Sequence, residues 1–268
     1  MTPSPELAPV DLFQRDMGGQ GEPPIVILHG MLGSSRNWQT VGRDLAAHRR
    51  VWALDLRNHG MSPHASGMAY SDMVGDVVAW LDRRGIARAE LMGHSMGGKV
   101  AMLLACRHPA RVSRLIVVDI APKGYQWPAH RAEFIAMREL NLLDLRSRAE
   151  AEMRLEGRVS DWAMRKFIAT NLERTEEGGW RWQVNLPVLS SALAALEANP
   201  LRDDDRFEGP ALFITGGRSP YVQPADHARI LAHFPAARIE TLQASGHNPH
   251  IDAREAFVRA VLAGAAPG

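Results

Sequence analysis

A five-residue motif at the end of a short apolar run constrains this chain most. Residues 93–97 read Gly-His-Ser-Met-Gly, and an apolar helical pattern follows them. This order predicts a strand, a tight turn with Ser95 at its apex, and then a helix. Gly93 and Gly97 leave room for backbone that packs closely on both sides of the serine.

The predicted turn makes the serine chemically accessible. Ser95 Oγ stands at the apex, and the N–H of Met96 points to the place where an oxyanion would form, beside the positive end of the helix. The pattern is that of a nucleophile elbow. The motif alone leaves another interpretation open, a glycine-rich strand-to-helix turn without chemistry, because small residues cluster in many loops.

Composition bounds the class of protein. The chain has 268 residues, 46% hydrophobic and 23% charged, which suits one large α/β domain, alone or with an insert. The net charge is +1 and no basic stripe stands out, so we expect no nucleic-acid partner. The N-terminus lacks the features of a signal peptide and no apolar run reaches about 18 residues, so we expect a cytoplasmic protein that does not insert into membranes.

The sequence offers few groups for a cofactor. The single cysteine, Cys106, excludes an intrachain disulfide and a metal site built on thiolates. Gly216 and Gly217 follow a predicted strand, but the third glycine of a dinucleotide fingerprint is missing. We therefore expect no metal and no cofactor. A monomer and a small homo-oligomer both stay open.

Apolar runs at regular intervals predict a mostly parallel sheet. Four runs are apolar throughout, as in strands buried on both faces: 24–28, 51–54, 115–118 and 211–214. Between residues 124 and 199 the strands disappear, and helices are predicted near 128–142, 147–156, 160–172 and 187–198. The pattern predicts a doubly wound α/β core, residues 1–123 and 200–268, with an inserted helical cap, residues 124–199.

Polar residues and glycines follow the carboxyl ends of the predicted strands, where ligands bind in such sheets. The N–H of Met31, just after the first buried run, is placed to face a cleft. We take as candidate pocket residues His29, Gly30, His94, Asn58 and Trp182. For Asn58, in the polar loop 55–62, and for Trp182, one of four tryptophans in or beside the cap, a structural role is the open alternative.

A serine nucleophile needs a base that takes its proton and an acid that orients the base. The chain has 11 histidines, but His247 stands out by its position. It lies in the loop after the last predicted strand and directly follows Ser245 and Gly246 in the sequence. We predict that His247 is the base, because this position fits the order serine, acid, histidine.

The chain resembles the α/β-hydrolase-fold serine hydrolases over nearly all of its length. Three motifs carry the resemblance in the family's order: His29-Gly30, Gly93-His94-Ser95-Met96-Gly97-Gly98 and Ser245-Gly246-His247. The loop 55–62, Asp-Leu-Arg-Asn-His-Gly-Met-Ser, further resembles a branch of small esterases and thioesterases that includes the bacterial YbfF-type esterases. The resemblance implies the α/β-hydrolase fold and an oxyanion hole formed by the N–H groups of Met31 and Met96.

The chain differs from most family members in the position of the acidic residue of the triad. Most members carry an aspartate after the strand that follows the cap, and Ser219 stands at that position here. Asp226 lies seven residues further on, too far along. Some members carry their acid at the end of the strand after the elbow helix, which here is Asp119. We predict a triad of Ser95, His247 and Asp119 in which Ser219 supports the histidine or the carboxylate. A loop-anchoring role for Asp119 is the alternative.

These residues predict a serine carboxylesterase that works through an acyl-enzyme. Methionines beside the nucleophile and an apolar cap favour a small-molecule ester with an apolar acyl chain. Acyl thioesters such as acyl-CoA, lactones and C–C bonds need the same machinery, so they stay open. A CoA thioesterase would need a basic patch at the mouth of the cleft. A non-catalytic receptor with a hydrolase fold is the alternative from another class.

Overall fold

A seven-stranded sheet forms the centre of the protein. The computed structural model describes residues 8–263, so the outer ends of the predicted core, 1–7 and 264–268, lie outside it. The strands are β1 (Gln14–Gly18), β2 (Ile25–Leu28), β3 (Val51–Leu54), β4 (Ala89–His94), β5 (Val112–Val118), β8 (Ala211–Gly216) and β9 (Ala237–Leu242). Their order in space is β1-β3-β2-β4-β5-β8-β9, and only β1 pairs antiparallel. The predicted α/β-hydrolase fold is confirmed.

Helices cover both faces of this sheet, which explains the continuous apolar runs. They are α1 (Gln39–Ala46), α2 (Tyr70–Arg83), α3 (Met96–Arg107), α8 (His227–His233), α9 (Pro249–Asp252) and α10 (Arg254–Leu262). Side chains alternate between the faces of a strand. Val26 and Leu28 therefore pack in the core under α2 and α3, whereas Ile25 and Ile27 pack in the core under α1 and α10. Within residues 8–263, no helix is long and apolar enough to cross a bilayer.

The 124–199 segment between β5 and β8 differs from the prediction in one respect. It contains α4 (Pro128–Glu139), α5 (Arg148–Arg154), α6 (Trp162–Ala169) and α7 (Leu186–Glu197), but also two short strands, β6 (Leu172–Arg174) and β7 (Trp180–Trp182). The expectation of helices alone was wrong. The two strands pair antiparallel, and Gly178, with φ +82, turns the chain between them. Trp180 and Trp182 lie on one face of this hairpin and pack against Leu145, Ala169 and Leu172.

Both ends of the 124–199 segment meet on one buried lysine. Lys99 lies on α3, one turn after Ser95, and its Nζ donates hydrogen bonds to three carbonyl groups at the end of α7: Leu196 at 3.3 Å, Glu197 at 3.1 Å and Ala198 at 2.7 Å. Three rings also surround Nζ at 5.0 to 5.6 Å: Tyr70, Tyr125 and Trp127. The helix end and the rings favour a cation. Burial nevertheless lowers the pKa of Lys99 to about 7.

The free energy of unfolding should vary with pH because of Lys99. Its pKa is about 7 in the folded protein against an ordinary 10.5. Between these values the unfolded chain binds more protons, so the free energy of unfolding rises with pH, by at most about 1.4 kcal/mol per pH unit. We expect Lys99→Met to abolish this rise, measured by urea unfolding between about pH 7 and pH 10. Equal slopes in both proteins would contradict the assignment.

Candidate active site

Ser95 occupies the predicted sharp turn between β4 and α3. Its φ of 52° and ψ of −117° are strained for a residue with a side chain, and its N–H donates to the carbonyl group of Val118 at 3.1 Å. A Cβ on Gly93 would lie 2.2 Å from the carbonyl oxygen of Gly97. A Cβ on Gly97 would lie 2.5 Å from the carbonyl oxygen of His29. The serine is held at the apex because Gly93 and Gly97, two residues before and after it, lack a side chain.

Asp119 and His247 come together from the ends of two different strands. Asp119 directly follows β5, is fully buried and has a φ of +50°. His247 lies in the loop after β9, and its Nδ1 lies 2.8 Å from Asp119 Oδ2. An ionised carboxylate only accepts hydrogen bonds, so the proton of a neutral His247 is on Nδ1 and its Nε2 is an acceptor.

Ser219 also contacts this carboxylate. Its Oγ donates to Asp119 Oδ2 and accepts the N–H of Tyr221 at 3.2 Å. Of the two partners predicted for Ser219, the structure therefore places it on the carboxylate. The ring of Tyr221 stacks on the ring of His247 at 3.8 Å, which fixes the plane of the imidazole.

Asp226, the acid rejected on spacing, has other partners. One of its oxygens lies 2.6 Å from Nζ of Lys123 and accepts the N–H of Gln223 at 2.9 Å. These contacts occupy the Asp226 carboxylate at the start of α8.

Ser95 and His247 open into one cavity of about 340 Å³. Its apolar wall comes mainly from Met31, Trp38, Ala163, Met164, Phe167 and Ile251. Its polar groups include Asn37, His130, Asp161, Asn248 and Asp252. Among the described residues, no lysine or arginine lines it. No cluster of three or more His, Cys, Asp or Glu side chains in this part of the chain could hold a metal ion.

The oxyanion hole is predicted to be formed by two backbone N–H groups, those of Met31 and Met96. Met31 lines the cavity, and Met96 follows Ser95 at the start of α3. Neither N–H donates a hydrogen bond to another described residue. A hydrogen bond fixes the loop that contains Met31: the next residue, Leu32, donates its N–H to His59 Nε2 at 3.3 Å. Burial lowers the pKa of His59 to about 3, which keeps this ring neutral and able to accept.

His29 and His94 border the cavity but use their ring nitrogens to hold loops. Nε2 of His29 accepts the N–H of Leu56 at 2.9 Å, so its Nδ1 donates to the carbonyl group of Gly30 at 2.8 Å. His94 Nε2 donates to the carbonyl group of His247 at 2.9 Å. Burial lowers the pKa of both rings. Gly30 packs against His94, since a Cβ there would lie 2.9 Å from Nδ1 of this histidine.

The structure places two candidate pocket residues outside the cavity. Asn58 is buried with a φ of 65°, and its side chain bonds the carbonyl group of Gly67 at 3.1 Å, the N–H of Ala65 at 2.8 Å and the amide of Asn185 at 3.0 Å. Trp182 donates its indole N–H to the carbonyl group of Met137 at 3.1 Å and lines a separate surface groove. Both residues therefore tie loops together, which was the alternative left open for them.

Sequence reasoning missed His130 and Glu133. They lie on α4, where Nδ1 of His130 is 2.6 Å from Oε2 of Glu133, and His130 lines the cavity. The available signal was a histidine and an acid three residues apart on a predicted helix. His250 was missed as well: it lines the cavity floor and stacks on Trp38 at 4.1 Å. Only the packing of the folded chain shows that His130 and His250 line one cavity.

The family model described as alpha/beta hydrolase fold matches residues 23–254. The chain belongs to the α/β-hydrolase family. It is 38% identical to mouse "sn-1-specific diacylglycerol lipase ABHD11" over 96% of this chain and 85% of the relative. It is 35% identical to "Esterase YbfF" of Escherichia coli K12 over 89% of this chain and 91% of the relative.

A solved structure named "Marine microorganism esterase" is also similar. It superimposes with a TM-score of 0.91 at 32% identity and covers 95% of this chain and 99% of its own. These relatives confirm the resemblance to the YbfF-type branch and with it the predicted class, an ester hydrolase of the α/β-hydrolase fold.

Gly97→Ala should disrupt the site itself, because the new Cβ would meet backbone atoms of Leu28 and His29 at 2.5 Å. We expect a fall in melting temperature of several degrees and loss of most esterase activity. Gly75→Ala is the matched control: Gly75 lies inside α2 with open space at its Cβ position. Alanine there should leave activity intact and stabilise the helix by up to about 1 kcal/mol. Equal behaviour of the two variants in thermal unfolding and activity would argue against the close packing.

Proposed function

We propose that this protein is a serine carboxylesterase that hydrolyses neutral esters with an apolar acyl chain through an acyl-enzyme. Ser95 is the nucleophile, His247 the base and Asp119 the acid. The proposal rests above all on one observation: a buried carboxylate holds His247 in the cavity into which Ser95 opens from a strained turn. This arrangement has the three parts that acyl transfer by a serine requires.

The reaction follows from these positions. His247 takes the proton of Ser95 as Oγ attacks the ester carbonyl carbon. The N–H groups of Met31 and Met96 stabilise the oxyanion. His247 then gives the proton to the leaving alcohol, and the acyl group stays on Ser95. Water deprotonated by His247 releases the acid and restores the serine, while Asp119 stabilises the imidazolium formed in each half.

Single substitutions of Ser95, Asp119 and Ser219 should each lower esterase activity by a different amount. We expect Ser95→Ala to abolish hydrolysis of p-nitrophenyl butyrate and Asp119→Asn to lower kcat by about 10³-fold to 10⁴-fold. Ser219→Ala removes one hydrogen bond to the carboxylate, so a loss of about tenfold to a hundredfold is expected. Steady-state kinetics on variants with native circular dichroism measure these values. An Asp119→Asn enzyme that keeps most activity would rule out this acid.

The charges around the cavity favour a neutral ester over an acyl-CoA. The polar lining includes Asp161 and Asp252, and in residues 8–263 no lysine or arginine faces the cavity to bind phosphates. The names of the relatives, a diacylglycerol lipase and an esterase, agree with neutral ester substrates. The apolar wall, with Phe167 and Met164, suits the acyl chain.

A comparison of three butyryl compounds tests this preference. We expect p-nitrophenyl butyrate and the neutral thioester S-methyl thiobutyrate to be hydrolysed with kcat/KM at least about tenfold above that of butyryl-CoA, since only the last carries phosphates into a cavity without cations. The neutral thioester separates the effect of sulfur from the effect of charge. Preference for butyryl-CoA would favour the thioesterase alternative. A p-nitrophenyl series from acetate to palmitate then sizes the acyl pocket.

The remaining parts of the proposal concern the whole molecule. Residues 124–199 act as the cap, since α4 and α6 supply His130, Met164 and Phe167 to the cavity above the sheet. The protein works in the cytoplasm, as a monomer or small homo-oligomer, on a small-molecule ester. It needs no cofactor and binds neither nucleic acid nor membrane.

A further inference from the structure

A second histidine–carboxylate pair lies beside the cavity, on the side of the 124–199 segment, and its histidine lines the cavity. His130 and Glu133 lie one turn apart on α4, and Nδ1 of His130 is 2.6 Å from Oε2 of Glu133. Glu133 is only 3% exposed, whereas His130 lines the cavity together with Ser95 and His247. The cavity is therefore bordered by two imidazoles that each bond a buried carboxylate, one from the core and one from α4.

The hydrogen bonds of this second pair leave one ring nitrogen available. Glu133 receives no other side-chain or backbone hydrogen bond from the described residues, so its carboxylate depends on His130 Nδ1. A buried carboxylate is costly without such a partner. Since Nδ1 is bound in this way, Nε2 is the nitrogen left for a ligand, and it has no partner within residues 8–263.

The ring of His130 is also held in place by aromatic neighbours. Trp127 meets it edge-on with centroids 5.5 Å apart, and Phe134 lies nearly parallel to it at 6.4 Å. These contacts and the bond to Glu133 restrict rotation of the imidazole. A polar group that is fixed before the ligand arrives binds it with little loss of conformational freedom.

We propose that His130, oriented by Glu133, forms the subsite for the alcohol half of the ester and hydrogen-bonds a free hydroxyl group there through Nε2. The inference rests on the proposed esterase function and deepens it. An acyl chain without polar atoms gains nothing from an imidazole, and the apolar wall already offers it a place. The part of a neutral ester that can carry a hydroxyl beside the scissile bond is the alcohol. The preferred substrates are then esters of a polyol.

Two esters with the same acyl group test the subsite. Glyceryl 1-monobutyrate carries hydroxyl groups on its alcohol half, and methyl butyrate carries none. The measured quantity is the ratio of their kcat/KM values. His130→Phe keeps a ring of similar size without nitrogens, and we expect it to lower this ratio by about fivefold to tenfold, the value of one hydrogen bond. Glu133→Gln should lower the same ratio by about threefold, because the ring is then less well oriented.

His48→Phe is the matched control, since His48 is exposed in the turn after α1 and does not line the cavity. It should leave the ratio unchanged. A merely structural role of the pair would lower both kcat/KM values in parallel and keep the ratio, and that result would overturn the inference. Thermal unfolding of each variant identifies losses due to misfolding. If the unsubstituted protein hydrolyses neither ester, the proposed function itself fails and the subsite with it.

Discussion

The buried carboxylate of Asp119 is the point on which the site depends. It receives hydrogen bonds from the N–H of Gly216 at 2.9 Å, from Ser219 Oγ and from His247 Nδ1 at 2.8 Å. A charge without access to water is tolerable only with such partners. The three donors belong to the end of β8, the loop behind it and the loop after β9. Because Asp119 itself follows β5, its carboxylate connects the ends of three strands, β5, β8 and β9, at the carboxyl edge of the sheet.

Close backbone packing supplies the rest of the alignment. A Cβ on Gly216 would lie 1.9 Å from the carbonyl oxygen of Gly246, just before His247. The loop of His247 thus rests directly on the end of β8, and His94 holds the same loop through its carbonyl group. Burial lowers the pKa of three other cavity histidines, His29, His94 and His250, which keeps these rings neutral. Glycine at a few positions and histidine beneath the site together fix where His247 stands.

The sequence predicts the features that local chemistry determines. The elbow needs glycines two residues before and after Ser95, and buried parallel strands need continuous apolar runs, so the sheet and the elbow were predictable. The choice of Asp119 as the partner of His247 came from the resemblance to family members that carry their acid at this strand end. The 124–199 segment was harder, because its elements are stabilised by one another. Its hairpin depends on how Trp180 and Trp182 pack, and neither the position of Trp182 nor that of His130 follows from any local pattern.

The reacting groups and part of the substrate-binding wall lie on different parts of the chain, and this affects how substitutions can change substrate selectivity. The groups proposed to make and break bonds stand on strand ends that the sheet fixes, whereas α4 and α6 supply a part of the cavity wall: His130, Ala163, Met164 and Phe167. Lys99 joins the two, since it lies one turn after Ser95 on α3 and binds the end of α7 beside the rings of Tyr125 and Trp127. Side chains on α4 and α6 can therefore vary with little strain on the elbow. A substitution at Lys99 is expected to strain the elbow, because it disturbs both the contact that anchors the 124–199 segment and the helix that follows Ser95.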